Sequence, residues 1–526
     1  MKKTLISLTL VIITALSASA FSVKLKYSDA GTLSNWTEES YYASPVITDL
    51  ENDGKLEMVF SNYSITVLDA ATGNVRFKVN SGKDRNTDFT ESTVNNGHTW
   101  PTPVVKDVDG DGLKEIITAH GHGAISVLDS QGYFKSGWPQ APLDSSARSL
   151  AVEDLDGDGK CEIVVGYGIM AVYAPSVYVY NYDGTLRQGW PQLNLDLQGV
   201  VGWGDGIYMN GINVTDLDKD GFKEVIIPTD NQFISVYRHD GSLFPTHSSF
   251  GGRHWAQIGY FEDQYTEMRG SNMGWGFPLV GNEKREEKNY AAFSHGVVTT
   301  EDLDMDGTKE IISSFVMFER INSEIYTRSE YMSLAILRAD RTRFRIAGTD
   351  IDWGTPPTDL GEPLVQNPEF LASYVSATPV VTDLDGNGMK EILLNSYNGK
   401  VHCFSLDKSE PYAWPYSLTK RTSPLPEYAS GVVCKDLDGD GKQEVVFGTY
   451  YDPSISSTKG HDGCLMILNY EGKLIERIPL PKAKEAPFKD NGCMAIPVIE
   501  DIDGDGLYEI ILNTTYDAIC VYDIIF

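Results

Sequence analysis

The sequence predicts an all-β fold, an eight-bladed β-propeller of four-stranded antiparallel blades in which the N-terminal strand completes the last blade. Three observations carry this expectation. A nine-residue acidic segment with glycine at its sixth position occurs eight times along 526 residues. Each copy lies between two short β-branched runs, as Asp107–Glu115 lies between TPVVK and EIITA. No stretch shows helical periodicity, and the turns are rich in Gly, Asn and Asp, which favours strand over helix.

The first twenty residues, MKKTLISLTLVIITALSASA, combine two lysines, an apolar run and small residues before Phe21. That is the pattern of a secretory signal peptide cleaved after Ala20, leaving 21–526 as one propeller domain that is exported, whether secreted, periplasmic or bound at the cell surface. No later run is long and apolar enough to span a bilayer as a helix. Ser22–Tyr27 follows as an alternating strand with no partner nearby in sequence.

In the second repeat, Thr102–Lys106 enters the acidic segment and Glu115–Ala119 leaves it. A third strand spans Ala124–Asp129, and a fourth is expected around Tyr133–Gly137. The third repeat reads likewise, with Ser149–Glu153, Glu162–Gly166 and Ser176–Tyr182. Trp138-Pro139, Trp190-Pro191 and Trp414-Pro415 fall at equivalent places, a large ring closing the blade edge before a proline that stops the ladder. The eighth repeat has only Ile510–Asn513 and Ile519–Asp523 after its acidic segment. Ser22–Tyr27 is therefore expected to supply its missing strand and remove two open edges.

The acidic segment has the chemistry of an oxygen-ligand cation site. Its copies offer Asp49, Glu51, Asp53 and Glu57; Asp107, Asp109, Asp111 and Glu115; Asp154, Asp156, Asp158 and Glu162; and Asp216, Asp218, Asp220 and Glu224. The later four offer Asp302, Asp304, Asp306 and Glu310; Asp383, Asp385, Asn387 and Glu391; Asp436, Asp438, Asp440 and Glu444; and Asp501, Asp503, Asp505 and Glu509. Side chains at positions 1, 3 and 5 converge on a tight turn that glycine at 6 permits, and the acid at 9 closes the shell. Such all-oxygen, flexible ligation suits Ca²⁺, up to eight structural ions, better than Mg²⁺ or a nitrogen- and sulfur-seeking metal. An EF-hand is excluded, because its glutamate stands at position 12 between helices.

Charge supports this reading. The net charge is −31, and the eight segments hold 31 acidic residues, without which the chain would be near neutral. The acidity is concentrated in these loops, and no basic footprint for nucleic acid exists. Six cysteines are scattered without C-x-x-C spacing, and most are expected to be buried free thiols.

Acidic loops on strand hairpins in this register resemble the FG-GAP/VCBS repeats of integrin α-chain-like propellers, over essentially residues 22–526. The resemblance implies a propeller with structural calcium on the face away from the ligand. It leaves function open, because adhesion modules, lectins and rhamnogalacturonan lyases share such repeats.

The longest insertions lie in the connections opposite the acidic loops: 80–101, 193–210, 246–295, 345–377 and 417–430 between blades, and 319–329 and 451–463 within them. Long loops on a rigid scaffold carry function. The segment 246–295 offers Arg253, His254, Trp255, Tyr260, Arg269 and Trp275 as ligand-binding candidates, beside His98, Trp100, Trp203, Tyr208, Trp353, Tyr374, Tyr450 and Tyr451. Aromatic faces with Arg and His suit a carbohydrate polymer or a cell-surface protein. Two functions follow, a binding module for adhesion or recognition, or a polysaccharide-degrading enzyme of rhamnogalacturonan-lyase type. The enzyme would need His254 or Tyr260 as base and Arg253 or Arg269 to neutralise a uronate. The chain shows no nucleophile motif or strong carboxylate pair, which favours binding.

Overall fold

A computed structural model of the chain describes residues 21–30, 42–90, 98–168, 175–192, 211–229, 233–245, 255–257, 289–293, 298–320, 328–354, 357, 364, 378–418, 426–451, 461–483, 490–516 and 518–526. Among them there is no α-helix. No helix among the described residues is long and apolar enough to cross a membrane.

The strands among the described residues fall into eight antiparallel sheets. β1 (Ser22–Ala30) precedes the first sheet, β2 (Val46–Thr48), β3 (Glu57–Ser61), β4 (Ser64–Asp69) and β5 (Val75–Asn80). The second is β6 (Val104–Lys106), β7 (Glu115–Ala119) and β8 (Ile125–Leu128); the third is β9 (Ala147–Glu153), β10 (Glu162–Tyr167) and β11 (Val177–Tyr180). The fourth is β12 (Asn213–Thr215), β13 (Glu224–Pro228), β14 (Phe233–Tyr237) and β15 (Ala256–Gln257). The fifth is β16 (Asn289–Phe293), β17 (Val298–Glu301), β18 (Glu310–Arg320) and β19 (Arg328–Leu337). The sixth is β20 (Val380–Thr382), β21 (Glu391–Ser396), β22 (Lys400–Phe404) and β23 (Tyr416–Ser417). The seventh is β24 (Glu427–Ala429), β25 (Val433–Lys435), β26 (Glu444–Tyr451), β27 (Cys464–Leu468) and β28 (Leu474–Pro479). The eighth is β29 (Val498–Glu500), β30 (Glu509–Thr514) and β31 (Ala518–Ile525), with β1 as its fourth strand, paired from Ser22↔Ile525 to Ala30↔Ile519.

Middle strands read as continuous apolar runs because both of their faces are covered. In β10, Ile163 and Val165 pack into the cluster shared with the second sheet. Val164, pointing the other way, packs into the cluster shared with the fourth. Each sheet shares a cluster with the next in this manner. Met58 and Phe60 of the first sheet likewise pack with Ile511 and Val521 of the eighth.

Neighbouring sheets are also stapled by tryptophans. The indole Nε1 of Trp138 donates to Tyr182 O at 2.9 Å and that of Trp190 to His239 O at 3.5 Å, each in the next sheet. Trp414 donates to Tyr470 O at 3.0 Å and Trp353 to Leu406 O at 2.8 Å. Close approach requires glycine before the ring: a Cβ on Gly189, which sits at φ +90°, would collide with Asp240 O. The proline after the ring does not stop the ladder, as the sequence suggested. Gln140 pairs with Ile125 and Gln192 with Val177 beyond it. The fourth strands of the second and third sheets are nonetheless reduced to isolated bridges.

Two expected loops contain strand. β15, at the start of the segment 246–295, is the fourth strand of its sheet, and β16 near its end pairs with β18. β17 pairs with the first residues of β18, beside the acidic loop, whereas β16 pairs with Val316–Arg320 at the far end. Likewise β25 pairs with Glu444–Val446 and β24 with Thr449–Tyr451. Both added strands extend their sheets at the end away from the acidic loops.

Candidate metal centre

Each acidic segment joins the first two strands of its sheet, and all eight fold alike. The position-1 carboxylate accepts a hydrogen bond from the N–H of the position-6 glycine at 2.8–3.1 Å. The position-5 side-chain oxygen accepts from the N–H of position 7 at 2.7–2.9 Å. This bond explains why Asn387 fits where the other loops carry Asp: its amide oxygen does the same work at 2.7 Å. The position-9 glutamate is buried, and its Oε2 accepts from the N–H of position 2 at 2.8–3.0 Å. Oε1 is left to face the loop.

The backbone is left-handed at two places, not one. The position-6 glycines have φ of 84–92°. Position 4 is also left-handed, filled by glycine in five loops but by Asn52, Lys219 and Met305 at φ of 55–61° in the first, fourth and fifth. The glycine at position 4 of five loops is the trace of this second left-handed position in the sequence.

The carboxylates converge. One oxygen each from Asp107, Asp109 and Glu115 lies within 4.8 Å of the others, as for Asp154, Asp156 and Glu162, for Asp216, Asp218 and Glu224, and for Asp383, Asp385 and Glu391. Asp302, Asp304 and Asp306 form the corresponding group in the fifth loop. These groups can hold a metal ion, and an all-oxygen donor set fits a hard divalent cation. Burial pushes the position-9 carboxyls up, to about 7 for Glu162, Glu224, Glu310, Glu391 and Glu444. A nearby positive charge is what such a group needs in order to ionise.

In six loops the chain brings that charge itself, and it reaches Oε1. Arg76 binds Glu51 and Glu57. Lys135 Nζ lies 2.8 Å from Asp109 and 2.9 Å from Glu115. Arg187 lies 2.7 Å from Asp156 and 2.8 Å from Glu162. Arg338 lies 2.7 Å from Asp304 and 3.2 Å from Glu310. Lys26 lies 2.6 Å from Asp503 and 3.1 Å from Glu509. Arg238 makes the loosest set, 3.2 Å from Asp218 and 3.9 Å from Glu224, and leaves Glu224 Oε1 without a hydrogen bond. The spacing of the acids in the sequence does not reveal these partners, which lie outside the acidic segments.

Of the ligand-binding candidates, Arg253, His254, Tyr260, Arg269 and Trp275 lie outside the described residues. Trp255 is fully buried, in the cluster with Leu217, Phe244 and Phe315. Its N–H donates to Ile234 O, the bond that Gln140 makes to Ile125 O in the second sheet. Trp255 therefore packs at the fourth-strand edge and offers a ligand no surface. Trp353 and Tyr450 are buried as well. His98 and Trp100 stack at 4.4 Å, with the Arg148 guanidinium 3.8 Å above the indole.

A family profile described as FG-GAP-like repeat matches residues 107–165 and 154–227. No curated protein matches the chain. Among solved structures, the V. cholerae biofilm matrix protein Bap1 is similar at 14% identity over 96% of this chain and 91% of that one, with a TM-score of 0.47. The Dos1 propeller is similar at 10% identity over 95% of each chain, with a TM-score of 0.48. BamB from Moraxella catarrhalis is similar at 12% identity over 92% of this chain and 97% of that one, with a TM-score of 0.42. The chain thus carries FG-GAP-like repeats, whose matched segments span the second, third and fourth acidic loops.

Proposed function

We propose that this chain is an exported, calcium-stabilised β-propeller that acts as a binding module for a carbohydrate polymer or a surface protein. The eight sheets are its blades. Their cyclic order supports a closed ring, since the eighth sheet contains β1 and packs on the first. Ca²⁺ is the cation that the carboxylate loops suit best, and its role is to hold hairpins rather than to react.

One observation carries the placement of the ligand. The sheets are extended by β16 and β24 only at the end away from the acidic loops. The chain leaves β15 and enters β16 at that end, and the segment between them holds Tyr260, Arg269 and Trp275, which are the proposed contacts together with Arg253 and His254 just before β15. Screening residues 21–526 on a glycan array tests this reading, with the five residues replaced by alanine in turn. Saturable binding that falls with these substitutions is expected. Cleavage of a uronate polymer with release of an unsaturated sugar would replace this reading with the lyase reading.

A further inference from the structure

We infer that six of the eight loops carry a built-in counter-ion in place of a metal, so that only the sixth and seventh depend on an added divalent cation. This rests on the calcium reading above and narrows it from eight ions to two.

The argument is positional. In four sheets the cation stands at one place in the fourth strand. Arg76 lies at the bulge between the pairs Leu68↔Val75 and Val67↔Phe77, and Lys26 at the bulge between Leu25 and Tyr27. Lys135 donates its N–H to Val127 O at 3.0 Å and Arg187 to Val179 O at 2.9 Å, in matching register. In the fourth and fifth sheets that strand position is Phe244 or Phe344, whose N–H groups make the same bond to Val236 O and Ile336 O. There the cation has moved to the end of the third strand, as Arg238 or Arg338, and its guanidinium lies 5.0 or 4.9 Å from the ring that took its place. Each of these six sheets thus has one cation, from one of two positions, aimed at the same Oε1.

The sixth and seventh sheets have a cation at neither. In the sixth, Pro411 stands where Lys135 and Arg187 do, three residues before the blade-edge tryptophan, and Ser405 ends the third strand. Tyr412 instead donates its hydroxyl to Asp385 at 2.6 Å, which is a neutral contact. In the seventh, Ile475 lies in the bulge between Leu468↔Leu474 and Ile467↔Glu476, the place of Arg76, and Asn469 ends the third strand. Among the described residues, no Lys or Arg pairs with the acids of either loop. In each, a buried glutamate, Glu391 or Glu444, sits beside other carboxylates without a positive partner, which is unfavourable, so these two loops are the ones that require a divalent ion.

The test is Ca²⁺ titration calorimetry on residues 21–526 after chelator treatment and desalting, for the native chain and for Ile475→Arg. Two bound ions are expected for the native chain and one for the variant. Ile475 is exposed, so the variant should fold, and circular dichroism checks that it does. Three or more ions in the native chain, or an unchanged count in Ile475→Arg, would overturn the inference while leaving the calcium reading intact. No bound ion at all would overturn both.

Discussion

Lys26 Nζ lies 3.1 Å from Oε1 of Glu509, so the first described strand supplies the counter-ion to the last acidic loop. The ammonium also reaches Asp503 at 2.6 Å and Asp523 at 3.0 Å. Burial works to lower its pKa, but the hydrogen bonds to these carboxylates raise it above its ordinary range. Lys26→Met should destabilise the fold by about 2 kcal/mol, since it leaves a buried glutamate beside other acids with no partner. Lys26→Arg should recover most of that loss. Denaturant midpoints measure both, and a midpoint unmoved by Lys26→Met would rule out the ion pair as a staple between β1 and β31.

The left-handed positions make opposite predictions at two sites. Gly112→Ala should destabilise by about 1 kcal/mol or more, because an L-residue at φ +87° brings its Cβ against the backbone. Met305→Gly should be neutral to stabilising by about 0.5 kcal/mol, since Met305 already sits at φ +57° and its side chain is exposed. Thermal melts of the two variants should move in different directions.

Trp353 is buried and donates to Leu406 O of the following sheet at 2.8 Å. Trp353→Ala should cost about 3–5 kcal/mol through the cavity it leaves. Trp353→Phe should cost less, about 1–3 kcal/mol, chiefly from the carbonyl left without its donor. Equal losses in chemical denaturation would mean that the hydrogen bond contributes nothing.

His120 sets an acid limit. It is fully buried among hydroxyls, with Ser81 Oγ at 2.5 Å and Thr99 Oγ1 at 3.1 Å from Nδ1, and Thr118 Oγ1 at 3.0 Å and Ser126 Oγ at 3.2 Å from Nε2. Burial, followed by the neighbouring His122, depresses its pKa from 6.5 to about 3. The unfolded chain then binds more protons between these values, so stability is complete above pH 6.5 and is lost as pH falls toward 3. The difference in unfolding free energy between the native chain and His120→Gln should shrink across that window and be flat above it. A difference independent of pH would show that His120 is not a buried neutral ring.

Much of the fold was legible because it repeats. Strand positions such as Glu115–Ala119 were read correctly, since flanking acids and glycine fixed their register. The pairing of Ser22–Tyr27 with the last strand was legible from a missing partner. What escaped was tertiary. Trp255 looked like a ligand residue because it sits in a long insertion, yet Ile234 and Phe244 draw it into the core. Asn62 and Asn513 each begin an N-x-S/T triplet, yet both are buried and hydrogen-bonded to each other at 3.1 Å. The counter-ions Arg238 and Lys135 come from different positions in their strands, so no single spacing from the acids revealed them.

The central claim is that the acidic loops are a scaffold held by calcium. Thermal unfolding of residues 21–526 with excess chelator, then with added Ca²⁺, tests it most directly. A melting temperature that falls by several degrees on chelation and rises again with the ion concentration is the predicted result. A melting temperature unchanged by either treatment would contradict the account.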